Sequence, residues 1–527
     1  MSATPEEAGG FHPGHNPWGI ALTVTLATFM EVLDTSIANV ALPHVAGGLS
    51  ATNEESTWVL TSYLVSNAIV LPISGWLASR IGRKRFYMIC VTLFTVSSFL
   101  CGMAPSLGML IFFRVLQGLG GGGLAPSEQS ILADTFEPKR RGMAFAVYGM
   151  AVVLAPAVGP TLGGYITDNI GWRWIFFINV PVGILSLVLT HRVVRDPPWL
   201  AEERSRRRPI DFVGLGLVAI GLGSLEVVLD KGQQEDWFSS SFITFFAMAS
   251  AVSLVAFVVW ELVQKHPVVD LRLFKNRNFA ISNLLIFFLG VILFGTTVLL
   301  PQFLQTLMGY SAQKAGMTLS PGAMSIILFM PLIGFLVSHV PARWLVAFGF
   351  VVTWLALERM SQINLDLDFR TATVWRIYQS AGMAFLFIPI NTAAYVGVPK
   401  EKNNDVSGML NLSRNVGGSV GISFITTYIA RQSQVHQTYL VGHATPFDEP
   451  YRALMDSLVR NKMAEGASLP DATLGAQGQI YSELIRHATV LSYVDVILIL
   501  AFAAACIVPL TLLLKANPPG HGPAMAH

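Results

Sequence analysis

Charge is what this chain has least of. Only 13% of its 527 residues are Asp, Glu, Lys or Arg, where soluble domains carry about a quarter. A water-soluble protein of this length would lack the polar surface to stay in solution. Cysteine is nearly absent as well. Cys90, Cys101 and Cys506 all fall in apolar runs, with neither metal-ligand spacing nor a disulfide framework. Basic residues sit in short loops and form no patch or stripe, which argues against a nucleic-acid partner. No nucleophile–base pair, phosphate loop or metal cluster is visible, so an enzyme is not expected, and neither is a cofactor.

What fills the chain is apolar sequence. It is 53% hydrophobic with a mean hydropathy of +0.55. Runs of roughly 20 apolar residues fit membrane helices. Fourteen are expected, near 18–43, 57–78, 86–104, 108–133, 143–167, 172–192, 211–230, 240–262, 279–307, 316–338, 343–362, 371–396, 405–431 and 487–514. The first is too long for a signal-peptide core and lacks a convincing cleavage site, so it reads as a retained span.

Loops after even-numbered runs are basic: Arg80, Arg83, Lys84 and Arg85; Lys139, Arg140 and Arg141; Arg192, Arg195, Arg204, Arg206, Arg207 and Arg208; then Lys265, Arg272, Lys275, Arg277, Arg343, Lys400 and Lys402. Short loops after odd runs hold only Arg173, Lys231, Lys314 and Arg370. The positive-inside rule makes the even side, and both termini, cytoplasmic.

The chain also repeats itself. Val40-Ala-Leu-Pro43 returns as Val298-Leu-Leu-Pro301, and Leu71-Pro72 to Gly75 as Met330-Pro331 to Gly334. Arg114, Gln117 and Gly120 return as Arg376, Gln379 and Gly382, and Pro138-Lys139 as Pro399-Lys400. The offsets are 258, 259, 262 and 261. Two parallel copies of a six-helix unit suggest a transporter that rocks one half against the other. The expected organisation is an all-α integral membrane protein. A cytoplasmic tail (1–17) precedes a first six-helix bundle (18–195). A linker with two inserted membrane helices follows (196–265). A second bundle (266–515) carries a long outer loop (432–486), and a cytoplasmic tail (516–527) ends the chain. Tyr451, Leu454, Met455, Leu458, Val459 and Met463 recur at helical spacing in that loop, which predicts an amphipathic helix.

Charges inside the spans are the candidate chemistry. Glu31 and Asp34 are three apart in the first run and share one helical face. An ionised carboxylate in a membrane costs at least ~2.5 kcal/mol, so an acid kept there is a candidate for gaining and losing a proton. Glu31 serves equally as a polar contact that never titrates. Arg114, in the fourth run, lies at a similar depth to Asp34. It is read either as a partner that drives proton release or as a structural or snorkelling arginine. Its mate Arg376 has no acid opposite, because Ile292 stands at the position matching Asp34. Glu128 is read as a proton relay, an attractor of cations, or a solvated vestibule residue. Gly159, Pro160, Gly163 and Gly164 allow a close, kinked helix contact in the fifth run. Gly75, Arg80, Gly82, Arg83 and Lys84 form a tight basic loop able to latch to acids or helix ends. Gln117, Arg376, Asn411 and Arg414 are candidate polar groups of a central cavity.

These residues carry a resemblance. Leu33-Asp34 through Asn39-Val40-Ala41-Leu42-Pro43, Arg114 to Gly118, and Gly159-Pro160-Thr-Leu-Gly163-Gly164 are similar to the signatures of the major facilitator superfamily. Within it they resemble the fourteen-span drug:proton antiporters of the EmrB/QacA type. The segment from Asp230 to Ser239 favours the EmrB branch. The resemblance implies a major facilitator fold and export driven by the proton gradient. Asp34 and Arg114 would take coupling roles, with Glu31 and Glu128 as further candidates. The glycines of the fifth run would gate, and the loop from Gly75 to Lys84 would latch. Where the family's loop has an acid, this chain has Ser79. The resemblance further implies a bacterial inner-membrane location and antibiotic resistance by multidrug efflux. Implied partners are lipid, hydrophobic or amphipathic cargo, an EmrA-like periplasmic adaptor and an outer-membrane channel. The alternative is export of one endogenous metabolite, siderophore or fatty acid by the same mechanism.

Overall fold

The computed structural model describes residues 15–137, 140–197, 211–265 and 267–515. Pro138, Lys139 and the basic run Arg204 to Arg208 lie outside the described residues, as do nearly all of the two terminal tails. The described residues are helical throughout, without a strand.

The helices are α1 (Pro17–Gly48), α2 (Trp58–Ile81), α3 (Arg83–Met103), α4 (Leu107–Gly121), α5 (Leu124–Thr135), α6 (Arg141–Asn169), α7 (Asn179–Val193), α8 (Phe212–Lys231), α9 (Ser241–Val263), α10 (Arg277–Thr306), α11 (Ala312–Leu336), α12 (Ala342–Met360), α13 (Phe369–Ala394), α14 (Asn403–Val441), α15 (Glu449–Ala464) and α16 (Leu469–Thr511). Their starts follow local chemistry. Asn16, Ser106, Asp211, Asn276, Asp368 and Ser468 each accept a backbone N–H of the first turn.

Each of the fourteen predicted runs forms a helix. The fourth is broken at Gly122 and Gly123 into α4 and α5, where glycines relax the helical preference. Ten helical spans are long and apolar enough to cross a bilayer, and an eleventh joins them when the two arms of α6, bent by 41°, count as one. The other three, α12, α13 and α14, carry charges, among them Glu358, Arg376 and Arg414. Large apolar side chains such as Phe245, Val252, Val255 and Val259 of α9 face outward, as a helix against lipid requires.

The sequence repeat reappears as a repeat of packing partners. α1 packs on α6 as α10 packs on α14; α2 on α4 as α11 on α13; α3 on α7 as α12 on α16. Across the seam, α6 meets α11 and α2 meets α14. Small residues let these backbones approach. A Cβ on Gly159 would stand 2.2 Å from Ser36 Oγ, and one on Gly417 would stand 2.1 Å from the Phe287 carbonyl oxygen.

The outer loop is less of a loop than hydropathy suggests. α14 continues to Val441 and α16 begins at Leu469, with α15 packed against α16. Hydropathy marks where the apolar run stops, while helical hydrogen bonding continues past it.

Candidate functional site

Asp34, on α1, is the centre of a buried polar cluster. Its Oδ2 accepts from Arg114 Nη1 of α4 at 2.5 Å. Its Oδ1 accepts from Gln117 Nε2 at 3.1 Å and from Asn179 Nδ2 at 2.7 Å. Arg114 Nη1 also donates to Gln117 Oε1 at 2.8 Å, one helical turn along. Arg114 Nε donates to the Val59 carbonyl at 3.0 Å, and the guanidinium lies 4.4 Å from the Tyr63 ring centre. The pair is dry, with side chains 0% and 1% exposed. Attraction between buried charges is strong, but so is the cost of drying them, and removing one partner costs about 3–5 kcal/mol.

The sequence brought Asp34, Arg114 and Gln117 to attention, and the structure brings all three together. Asn179 went unassigned. It opens α7, just after the short helical turn Trp174–Phe177, and its amide also donates to Ser98 Oγ at 3.0 Å.

Glu31 faces a separate group. Asn67 Nδ2 donates to its Oε1 at 3.0 Å and the Tyr63 hydroxyl at 3.3 Å. Its Oε2 is buried without a hydrogen-bond partner among the described residues. Tyr63 thus touches both acids' surroundings: its hydroxyl reaches Glu31 and its ring carries Arg114. Glu128, on α5, is fully buried and accepts from Thr25 Oγ1 at 2.5 Å. The solvated-vestibule reading does not describe it in this state.

A chain of hydrogen bonds crosses the seam. Arg414 Nη1 of α14 donates to the Tyr148 hydroxyl of α6 at 3.0 Å, which donates to Asn411 Oδ1 at 3.2 Å. Asn411 Nδ2 donates to Gln129 Oε1 of α5 at 3.0 Å. Arg376, in the second half, donates to Thr296, Thr297 and Gln379 at 2.8–2.9 Å, all neutral groups.

The basic loop is tied to its neighbours at several points. Gly82 turns the chain between α2 and α3 at φ +100°, a conformation other residues resist. Arg83 is buried and pairs with Asp134 at the end of α5, and its Nη1 also donates to the Ser130 carbonyl at 3.1 Å. Asn403 Nδ2, from across the seam, donates to the other Asp134 oxygen at 2.8 Å. Asp134, which sequence reasoning missed, supplies a buried acid to the latch, while Ser79 Oγ folds back onto the Trp76 carbonyl at 2.9 Å. Lys84 donates to the His191 carbonyl at 2.7 Å. Arg80 lies 5.5 Å from the Trp76 ring centre. Lys402 bridges Asp270 and Asp405, each at 3.1 Å. Burial lowers its pKa, but the two carboxylates outweigh that and hold it above the usual lysine value.

Of the α6 residues, Gly159 and Gly163 press against Ser36 and Ile37 of α1, and Pro160 lies beside Gly316 of α11. Gly164 faces open space.

The inserted α8 bonds to both halves. Asp230 accepts from Thr61, and Lys231 donates to Thr57, both of the first half. Glu226 Oε1 accepts from Ser419 at 2.7 Å, and Trp237, just beyond α8, donates to Thr427 at 3.2 Å, both in α14.

Residues 24–422 match the family described as Major Facilitator Superfamily. The multidrug export protein EmrB of Escherichia coli K12 is 40% identical over 440 residues, covering 83% of this chain and 85% of the relative. The fatty acid resistance protein FarB of Neisseria gonorrhoeae is 34% identical over 508 residues, covering 96% and 97%. Among solved structures, a double-tryptophan XylE mutant superposes with a TM-score of 0.61 at 13% identity, covering 95% of this chain and 96% of that one. That likeness speaks to fold alone. On these grounds the chain belongs to the Major Facilitator Superfamily and, within it, to the EmrB type.

Proposed function

We propose that this chain is a proton-driven exporter of hydrophobic and amphipathic compounds, with fourteen membrane spans and both termini in the cytoplasm of a bacterial inner membrane. The multidrug exporters among its relatives support the cargo class. One observation carries the mechanism: the Asp34 carboxylate, buried at membrane depth with an arginine and two amides aimed at it. When a proton arrives, Asp34 becomes neutral and its hold on Arg114 weakens. Arg114 then relies on Gln117, the Val59 carbonyl and the Tyr63 ring. The pairing, and with it the preferred arrangement of α1 against α4 and α7, changes with occupancy. Loss of the proton on the other side restores the pair. Glu31 and Glu128 are the next stations for a proton along the same bundle. The α1–α6 contact through Gly159 and Gly163 is the sliding surface, with Pro160 on the α11 side of the same helix, and the Gly75–Lys84 loop closes the basic end.

The outer extension supports an external partner. α14 and α16 are 39 and 43 residues long, so they reach about 58 and 64 Å against a hydrocarbon core of ~30 Å. A stalk of this kind suits docking to a periplasmic adaptor that leads to an outer-membrane channel. A second reading, export of one fatty acid or metabolite by the same machinery, is favoured by the likeness to FarB.

The test uses inverted vesicles or proteoliposomes with an imposed proton gradient. Wild-type protein takes up cargo only when the gradient is present. Asp34→Asn retains cargo binding and loses gradient-driven uptake. Normal pumping by Asp34→Asn would end the coupling assignment.

A further inference from the structure

The second half holds a cation that no acid among the described residues pairs with. Arg376 is 6% exposed, and its hydrogen-bond partners are Thr296 Oγ1 at 2.9 Å, Thr297 Oγ1 at 2.9 Å and Gln379 Oε1 at 2.8 Å. Both hydroxyls spend their own protons on carbonyls of their helix, Thr296 on Ile292 at 2.7 Å and Thr297 on Leu293 at 2.6 Å. They therefore face Arg376 as pure acceptors. Two donors of the cluster are left over. Arg376 Nε and Gln379 Nε2 are buried with no hydrogen-bond partner among the described residues.

The first half shows what this arrangement lacks. There the same Arg-x-x-Gln pair is completed by the Asp34 carboxylate, which takes a hydrogen bond from each member. At the repeat position the chain has Ile292, buried and apolar. The two halves are thus one device: in one copy an internal acid bonds both members of the pair and only Arg114 Nη2 is left over, while in the other no acid among the described residues bonds either member. Unmatched guanidinium and amide donors side by side suit a planar acceptor with two oxygens.

We infer that Arg376 and Gln379, backed by Thr296 and Thr297, form a binding site for the carboxylate head of an anionic amphipathic cargo, whose apolar tail lies along α10 and α13. In the state seen here the donors are covered by second-half helices, with Gly322 of α11 against the Arg376 stem, so the head reaches them when α10 and α11 shift from α13. The inference rests on the exporter reading only in calling the occupant cargo; binding itself needs no proton gradient.

The experiment is therefore an equilibrium one. Full-length protein in nanodiscs of zwitterionic lipid is titrated at neutral pH with labelled dodecanoate and, separately, with labelled dodecyltrimethylammonium. The expected ratio of the two affinities falls at least tenfold in Arg376→Gln, and Arg376→Lys recovers part of it. Gln379→Glu places an internal carboxylate where Oε1 now lies 2.8 Å from Arg376. It should keep the fold and likewise lower the ratio by filling the site from within. A ratio unchanged in Arg376→Gln and Gln379→Glu, whether both ligands weaken together or neither does, would overturn the inference. Displacement of dodecanoate by phosphatidylglycerol would also overturn it, in favour of a lipid phosphate. Because no gradient is applied, a coupling failure in Asp34→Asn vesicles leaves this result untouched.

Discussion

Gly75 offers a direct way to unbalance the two ends of the bundle. It sits one turn and a half before the end of α2, against the start of α14. A Cβ there would lie 2.9 Å from the Asn404 carbonyl carbon and 2.9 Å from the Asp405 nitrogen. Ordinary carbon contacts begin near 3.6 Å, so Gly75→Ala forces α2 and α14 apart by about 0.7 Å. The nearest atom, Asp405 Oδ1 at 2.7 Å, belongs to a side chain that can turn, but these two are backbone, so a rotamer change cannot relieve the clash. Overpacking of this sort costs about 1–3 kcal/mol. Alanine also raises helical propensity by about 1 kcal/mol, but in both conformations equally, so that term cancels. The cost falls only on the state in which the basic-loop ends touch, which moves the open-to-closed ratio by about 5–150-fold. Spin labels at the exposed Arg85 and Glu401, in a chain whose three cysteines are replaced, report that ratio as a distance distribution. Gly334→Ala should act the same way through the repeat contact, where a Cβ would stand 3.0 Å from Met143 Cα. Gly164→Ala is the control, because nothing lies within 4 Å of its Cβ. Unchanged distributions in both Gly75→Ala and Gly334→Ala, or an equal shift in Gly164→Ala, would refute the reasoning.

Asn179→Leu removes a donor from the Asp34 carboxylate, and a hydrogen bond to a charged group contributes about 1.5–3 kcal/mol. Gradient-driven uptake should fall at least tenfold, with a displaced pH profile; a wild-type profile would deny Asn179 any part in coupling. Lys402 has a raised pKa in the folded protein, so its bridge contributes fully below the ordinary value of 10.5 and is lost as pH climbs through the higher folded value. With a third of the side chain exposed, Asp270→Asn should cost under about 1 kcal/mol at pH 7 and nothing above both pKa values, measured by thermal melting. Deleting residues 442–468 removes α15 and its turns. Cargo binding by purified protein should persist while resistance of whole cells disappears; surviving resistance would end the docking role of the stalk.

The chemistry was legible wherever a charge interrupted apolar sequence. Asp34, Arg114 and Arg376 stand out because each is costly in a membrane, and Gln117 follows from its spacing to Arg114. Asn179, Asn67, Gln129 and Tyr148 did not stand out. Neutral amides and hydroxyls barely disturb hydropathy, and their value lies in partners 36–282 positions away. Asp134 was hidden for a different reason. At the end of an apolar run an acid reads as an interface residue, and only the fold shows Arg83 turned inward to meet it. The repeat was legible because both copies keep their proline and glycine contacts. The full lengths of α14 and α16 were not, because the predicted ends followed where apolar residues stop rather than where the helix does.

The inserted helix α8 constrains any rocking motion. It is bonded to Thr61 of α2 through Asp230, to Thr57 just before α2 through Lys231, and to α14 through Glu226, with Trp237 adding a further bond. Those are the two helices that face each other across one side of the seam. If the halves part along that side, α8 cannot keep both sets of bonds at their present lengths. The set on α2 gathers an acid and a base at one end of the helix, next to each other and both bonded to threonines. The set on α14 is spread over Ser419 and Thr427, two helical turns apart. Concentrated charge-assisted bonds are the stronger anchor. The bonds to Ser419 and Thr427 are then the ones that must exchange, and α8 travels with the first half. If the halves rock in this way, the insertion is a moving part of the seam rather than a spacer between two bundles.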